Sequence, residues 1–234
     1  MTDSGFSFKK FTVRQALCAM KVGTDGVLLG AWAGCEETKQ ILDVGTGTGL
    51  IALMLAQRST ALVDAIDVNE QAFIQAQENF QMSSFAERLQ AYHIPFQEYK
   101  PTKSYDLIVS NPPYFSKSLR SPDAGRTTAR HDDSLPLSEL VSQAVRLLSP
   151  EGRLALVLPF DLLDSIVQIT QEQGLCLVRR TDVYPTPHSP AKRLLLEFSR
   201  ENLPLEHTHL TIELGRHHYT PEYIALTREF YLKI

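Results

Sequence analysis

Cysteine is scarce in this chain, and its three cysteines do not pair. Cys18, Cys35 and Cys176 are odd in number and none lies in a Cys-x-x-Cys motif. A disulfide scaffold or a cysteine-rich zinc site is not expected, the three thiols read as small buried apolar groups, and a reducing cytoplasm is the expected setting. An excess of positive charge is also missing. Lys and Arg total 23 against 27 Asp and Glu, a formal charge of −4, so there is no uniformly basic coat for nucleic acid and any such contact must be local. No apolar run reaches the roughly 18 residues of a membrane span. Met1-Thr2-Asp3-Ser4-Gly5 lacks the charged and apolar blocks of a signal peptide. Repeats and low-complexity tracts are absent as well. What is present is a 43% hydrophobic chain of 234 residues, enough for one packed domain with modest additions.

From residue 40 onward, short apolar runs alternate with helical patterns. The spacing predicts strands over 40–44, 62–67, 89–94, 105–110, 153–158, 175–183 and 192–199. It predicts helices over 50–58, 70–81, 137–148 and 162–173, with Phe73, Ile74, Gln77 and Phe80 as the apolar stripe of the second. The strand runs are nearly continuous, as in strands buried on both faces of a parallel sheet flanked by helices. Residues 184–191 hold Pro185, Pro187 and Pro190 and are too few for a crossover helix, so the last two strands should be antiparallel. The expected class is α/β: a Rossmann-like, doubly wound, seven-stranded, mainly parallel sheet with its last strand antiparallel. The expected organisation is an extension over 1–39, a core over 40–199, and a segment over 200–234 docked on the core through an amphipathic helix near Tyr223, Leu226, Phe230 and Tyr231. Residues 115–135 are polar, and loops of that length are usually functional.

Two constellations carry chemistry. Asp43-Val44-Gly45-Thr46-Gly47-Thr48-Gly49 stands where a strand turns into a helix, the place where glycine allows a sharp turn and close approach of a ligand. Asp67 closes the next strand, 22 residues beyond Gly45, where a carboxylate can accept both ribose hydroxyl protons. A nicotinamide dinucleotide would share that acid, but in its fingerprint the third glycine follows the second by three positions, where in this loop it follows by two. The loop and its leading Asp43 are similar to S-adenosylmethionine (SAM) methyltransferases.

The second is Asn111-Pro112-Pro113-Tyr114, at the end of the fourth strand. Two prolines fix two φ angles and hold the preceding residue extended, so Asn111 points in a defined direction. Its side-chain oxygen and the Pro112 carbonyl can accept from one NH2 group, and Tyr114 offers a face for a planar base or amide. An sp2 amino group is a weak nucleophile because its lone pair is delocalised. Two acceptors on its hydrogens favour pyramidal geometry and return density to nitrogen, and positioning then matters more than a strong base.

Asn111-Pro112-Pro113-Tyr114 resembles the catalytic motif of amino-group methyltransferases. Phe8-Lys9-Lys10-Phe11, the run from Ala19 to Ala33 with Lys21-Val22-Gly23-Thr24-Asp25-Gly26, and the closing run from Ala225 to Leu232 resemble the tRNA(Val) adenine-N6 methyltransferases, which modify adenine 37 beside the anticodon. The resemblance spans nearly the whole chain and implies a class I SAM methyltransferase. It implies that Asp43, Gly45, Gly47, Gly49 and Asp67 surround SAM, that Lys21, Gly23, Thr24 and Asp25 cover its methionine end from the amino-terminal extension, that Asn111 lies against the cofactor, and that Asn111, Pro112 and Tyr114 hold the target adenine. One position departs from the pattern. Where an acidic residue is usual after the third strand, Pro95 can neither accept the amino proton of the SAM adenine nor donate an N–H.

The implied partner is tRNA. Lys9, Lys10, Arg14 and Lys21 are free of intervening acids, and Lys117, Arg120, Arg126, Arg130 and His131 stand against Asp123 alone. Apart from Lys21, these are the candidate phosphate contacts around an extruded base. No metal is expected, because His207, His209, His217 and His218 lack a completing ligand set, and Trp32 reads as core. The oligomeric state is not readable from the sequence, which is compatible with a monomer. Protein-glutamine N5 and ribosomal guanine-N2 methylation stand as alternatives, as does a non-enzymatic SAM-binding RNA module.

Overall fold

The computed structural model describes residues 5–113 and 135–233. Eight strands form one sheet: β1 (Gln40–Val44), β2 (Leu62–Asp67), β3 (Leu89–His93), β4 (Tyr105–Ser110), β5 (Leu148–Pro159), β6 (Cys176–Tyr184), β7 (Arg193–Ser199) and β8 (Glu206–Thr211). Their order is β8-β6-β7-β5-β4-β1-β2-β3. β7 is antiparallel to both its neighbours, and every other pairing is parallel. The expected reversed strand is thus present. β8 is an eighth strand beyond the seven expected, parallel to β6 from Glu206↔Arg179 to Thr211↔Tyr184. Its sequence Glu-His-Thr-His-Leu-Thr buries only Leu210, so an edge strand of this kind leaves no apolar run to read.

The helices are α1 (Thr24–Trp32), α2 (Leu50–Arg58), α3 (Glu70–Gln81), α4 (Leu137–Leu147), α5 (Leu163–Glu172) and α6 (Pro221–Thr227). One apolar cluster joins residues of α1, α2, α3 and α6 to one sheet face, and a second joins α4 and α5 to the other. α3 begins where Asn69 accepts the Ala72 N–H at 3.0 Å, a cap that contributes about 1 kcal/mol. It buries Ala72, Gln75, Ala76, Asn79 and Phe80. Of the stripe expected from sequence, Phe80 alone is fully buried, because the face against the sheet is built from alanines and two amides. α6 starts at Thr220, whose hydroxyl accepts the Tyr223 N–H, and it buries Tyr223 as expected of the tail.

A short ribbon, Phe6–Ser7 with Thr12–Val13, precedes α1. It packs on the far end of the chain: Phe8 bridges Tyr231, the Lys9 N–H donates to Phe230 O at 2.8 Å, and the Lys9 ammonium donates to Arg228 O. Among the described residues no helix is long and apolar enough to cross a membrane.

Candidate active site

The chain runs outward from β1 through β2 to β3, then returns to place β4 on the other side of β1. In an open α/β sheet the crevice at such a reversal, beyond the carboxyl ends of the strands, is the ligand site. Here it collects Val44 of β1, Asp67 of β2 and Ser110 of β4.

Gly45, Gly47 and Gly49 all have positive φ (72°, 57° and 81°), the left-handed region that favours glycine. They serve two purposes. A Cβ on Gly45 or Gly47 would meet no atom within 4 Å, so these two leave backbone open to a ligand. A Cβ on Gly49 would lie 2.5 Å from Cε1 of Phe80, so this one allows α3 to pack beneath the loop. The loop folds over β2 through the N–H groups of Gly45 and Thr46, which donate to Ile66 O at 2.9 and 3.0 Å.

Two carboxylates bracket it. Asp43 is fully buried; its Oδ2 accepts from Thr46 Oγ1 at 2.7 Å and from the Ala52 N–H at 3.2 Å, while Oδ1 has no hydrogen-bond partner. Burial pushes its carboxyl pKa up to about 7, against the lowering effect of those two donors. Asp67 accepts the Gly47 N–H on Oδ2 at 2.8 Å and the Asn69 N–H on Oδ1 at 2.9 Å. Its pKa is also raised by burial. Beside it Val68 is 52% exposed, an apolar residue on the open side of the crevice. Pro95 opens a tight turn over Phe96–Glu98, and Phe96 is buried in the core.

The other wall is the tip of β4. Ser110 Oγ donates to Val44 O at 2.8 Å, Asn111 is half-buried, Pro112 is buried and Pro113 is exposed. Tyr114 and the basic candidates Lys117, Arg120, Arg126, Arg130 and His131 lie outside the described residues.

Above the crevice the chain preceding α1 forms a strap over residues 14–22. Gln15 closes it, accepting the Val22 N–H on Oε1 at 2.8 Å and the Lys21 ammonium on its carbonyl. Gly23 is extended and hands the chain to α1, which begins at Thr24. Asp25 accepts from Arg193 Nε at 2.8 Å. The strap therefore brings the Lys21–Asp25 run to this end of the sheet, with Asp25 tied to β7. Cys18 is buried in it, and burial, then the charge of Asp67, push its thiol pKa up to about 11. Cys35 is likewise buried and raised to about 11, and Trp32 is core, donating from Nε1 to Thr181 Oγ1 at 2.9 Å.

Of the basic candidates described, Lys10 and Arg14 are exposed, whereas the Lys9 ammonium is engaged by Arg228 O. Asp182, His207 and His209 place ligand atoms within 4.8 Å of one another. Arg180 already donates to both Asp182 oxygens at 2.6 and 2.9 Å, which sets a positive charge where a cation would sit. A groove of about 660 Å³ follows β3 and shares Phe73, His93 and Ile94 with the rim beyond Asp67.

Ser110, Thr46, Gln75 and Asn79 were not legible as site residues. The last two had a signal: amides four residues apart fall on one helix face, here the face with Ala72 and Ala76.

These features fit SAM. Open backbone at Gly45 and Gly47 accepts a close ligand, the unpartnered Asp43 Oδ1 suits a cationic group, and Asp67 keeps free lone pairs for a diol. Residues 23–165 match the methyltransferase small domain family. A tRNA1(Val) (adenine(37)-N6)-methyltransferase from Parabacteroides distasonis is 54% identical over 237 residues, with 100% of each chain covered. A predicted O-methyltransferase from Agrobacterium tumefaciens aligns with a TM-score of 0.66 at 19% identity, over 88% of this chain and 96% of that one. N-methyltransferase NodS from Bradyrhizobium japonicum, in complex with S-adenosyl-L-homocysteine (SAH), aligns with a TM-score of 0.53 at 17% identity, over 75% of this chain and 83% of that one.

Proposed function

Because the chain belongs to the methyltransferase small domain family and, within it, to the tRNA1(Val) (adenine(37)-N6)-methyltransferases, we propose that SAM and the target adenine meet in the crevice between Asp67, the glycine loop and Asn111. The activity is transfer of a methyl group from SAM to N6 of adenine 37 in tRNA. The observation that supports the site assignment is that one corner holds the open backbone at Gly45 and Gly47, the Asp67 carboxylate against the glycine loop, and Asn111 ahead of two prolines at the tip of β4.

Gly45, Gly47 and Asp43 would take the amino-acid end of SAM, Asp67 its ribose, and Val68 would lie against its ring. Pro95 supplies no side-chain acceptor there, so contact with the ring falls to apolar neighbours and backbone. Lys21, Gly23 and Thr24 would close the site from the strap, and Asp25 would hold α1 in place through Arg193. Bound SAM supplies an electrophilic methyl group on its sulfonium.

The residues of this chain do the rest by position. The Asn111 side-chain oxygen and the Pro112 carbonyl accept the two N6 hydrogens and aim the nitrogen, and Tyr114 covers the face of the base. Fixed acceptors aimed at a developing charge lower the barrier without reorganising. An adenine inside the anticodon loop reaches them only when turned out of its stack. Lys10 and Arg14 would contact nearby phosphates, in the cytoplasm.

The test is transfer of labelled methyl to a tRNA1(Val) transcript and to the same transcript carrying guanine at position 37. Label in the first and none in the second is expected. Equal label in both, or label in neither, would overturn the assignment.

A further inference from the structure

α3 carries two buried amides that the reaction does not use. Asn79 and Gln75 are each 1% exposed on a helix face otherwise made of alanine and phenylalanine. Polar side chains are placed there only when their hydrogen bonds are met. Each hydrogen bond described for Asn79 reaches out of the helix. Its Oδ1 accepts the Arg14 N–H at 2.8 Å, and its Nδ2 donates to Arg14 O at 2.8 Å and to Thr48 O at 2.8 Å. One amide thus pairs both main-chain groups of a strap residue, as a neighbouring strand would, and at the same time holds the glycine loop by the carbonyl preceding Gly49. Four residues earlier, Gln75 Oε1 accepts the Leu17 N–H at 3.1 Å. The next residue, Phe80, fills the space beneath Gly49.

We propose that Asn79 is a positioning residue that registers the amino-terminal strap against the glycine loop, so that the cofactor site is closed only while this amide holds both. The proposal rests on the reading of the crevice as the SAM site. Two segments far apart in sequence, Arg14 and Thr48, meet on one side chain. Gln15 then closes the strap on itself, so an anchor at Arg14 also fixes Lys21 and Val22. Without the anchor, the strap residues that cover the site and the backbone that cradles the ligand would move independently. Cofactor binding would then have to order them, which costs affinity. The chemical step, set by Asn111 on the opposite wall, would be largely spared once SAM is bound.

The experiment uses the full chain with Asn79→Asp, which keeps the acceptor for the Arg14 N–H but loses both donated bonds, and with Gln75→Met, which releases Leu17 from the helix and also gives up the bond within α3 to Glu78. SAH binding is measured by calorimetry, amide exchange is followed at Arg14 and Leu17, and steady-state constants are determined for SAM. For Asn79→Asp, the SAH Kd and the SAM KM should rise at least tenfold, kcat at saturating SAM should stay within about threefold, and Arg14 should exchange faster. For Gln75→Met, a rise of about threefold in SAH Kd is expected, and this variant decides the matter if Asn79→Asp does not fold. Wild-type SAH affinity in a folded Asn79→Asp chain would overturn the proposal, as would a fall in kcat with KM unchanged. An unmodified chain that fails to bind SAH would overturn the SAM site itself.

Discussion

Ser110 donates its hydroxyl hydrogen to the main-chain carbonyl of Val44 at 2.8 Å, tying the strand tip that leads to Asn111 to the strand tip that leads to the glycine loop. Both groups are buried, so losing this bond should cost about 1–3 kcal/mol. Ser110→Ala should lower the thermal midpoint by several degrees and reduce kcat severalfold. An unchanged kcat would mean that the two walls of the crevice hold their spacing without this bond.

Asn111→Ala removes the side-chain acceptor while leaving the prolines in place. Turnover should fall by about 10²–10³, the scale of one lost group acting on a developing charge. Calorimetric SAH affinity should change far less, and near-normal turnover would refute the acceptor role.

The glycines should separate by purpose. Gly47→Ala places a methyl group in open space at φ 57°, with a strain of about 1–2 kcal/mol, and should weaken SAH binding more than tenfold. Gly49→Ala adds a collision with Phe80 and should lose most in thermal stability. Calorimetry and melting curves run on both variants check the contrast.

Asp43 predicts a pH dependence of stability. Its folded pKa, about 7, lies above the unfolded value near 3.8, so between these values the folded chain binds more protons than the unfolded one. Stability of the cofactor-free protein should therefore carry a component that falls as pH rises from about 4 to 7 and then levels off. Asp43→Asn should remove that component, visible as a flatter melting-temperature profile. SAH affinity should rise over the same range as the carboxyl ionises, and a pH-independent affinity would argue against Asp43 facing the cofactor's cation.

Lys10 and Arg14 should act on RNA, whereas Lys9 should act on the fold. Lys10→Glu and Arg14→Glu are expected to weaken tRNA binding and flatten its dependence on salt. Lys9→Met should instead cost about 1 kcal/mol of stability through the bond to Arg228 O. Filter binding across a salt series, with melting curves alongside, distinguishes the two.

The sheet was legible wherever apolar runs alternate with amphipathic helices, and α2, α3 and β4 fall on the residues that the spacing predicts. α1 was not, because Gly26 to Trp32 is buried all round, which leaves no polar face and hence no period to detect. β8 was hidden for the opposite reason, since an exposed edge strand need not be apolar. The glycine loop, Asp67 and Asn111 stood out because their backbone and acceptor requirements restrict residue type. The amides of α3 share one helix face, but their role was hidden because their partners are main-chain groups of Arg14, Leu17 and Thr48, which no side-chain pattern announces.

The ribbon at Phe6–Val13 leads directly into the strap, and it is held by Arg228, Phe230 and Tyr231 across 219 positions of sequence between Lys9 and Arg228. During synthesis the ribbon must wait for these partners to leave the ribosome. The sheet can assemble strand by strand before then, but the strap lacks its outer anchor until translation has passed Tyr231. The order in which the chain is made thus sets the order in which it closes, with the strap's outer anchor formed only after residues 228–231 have emerged.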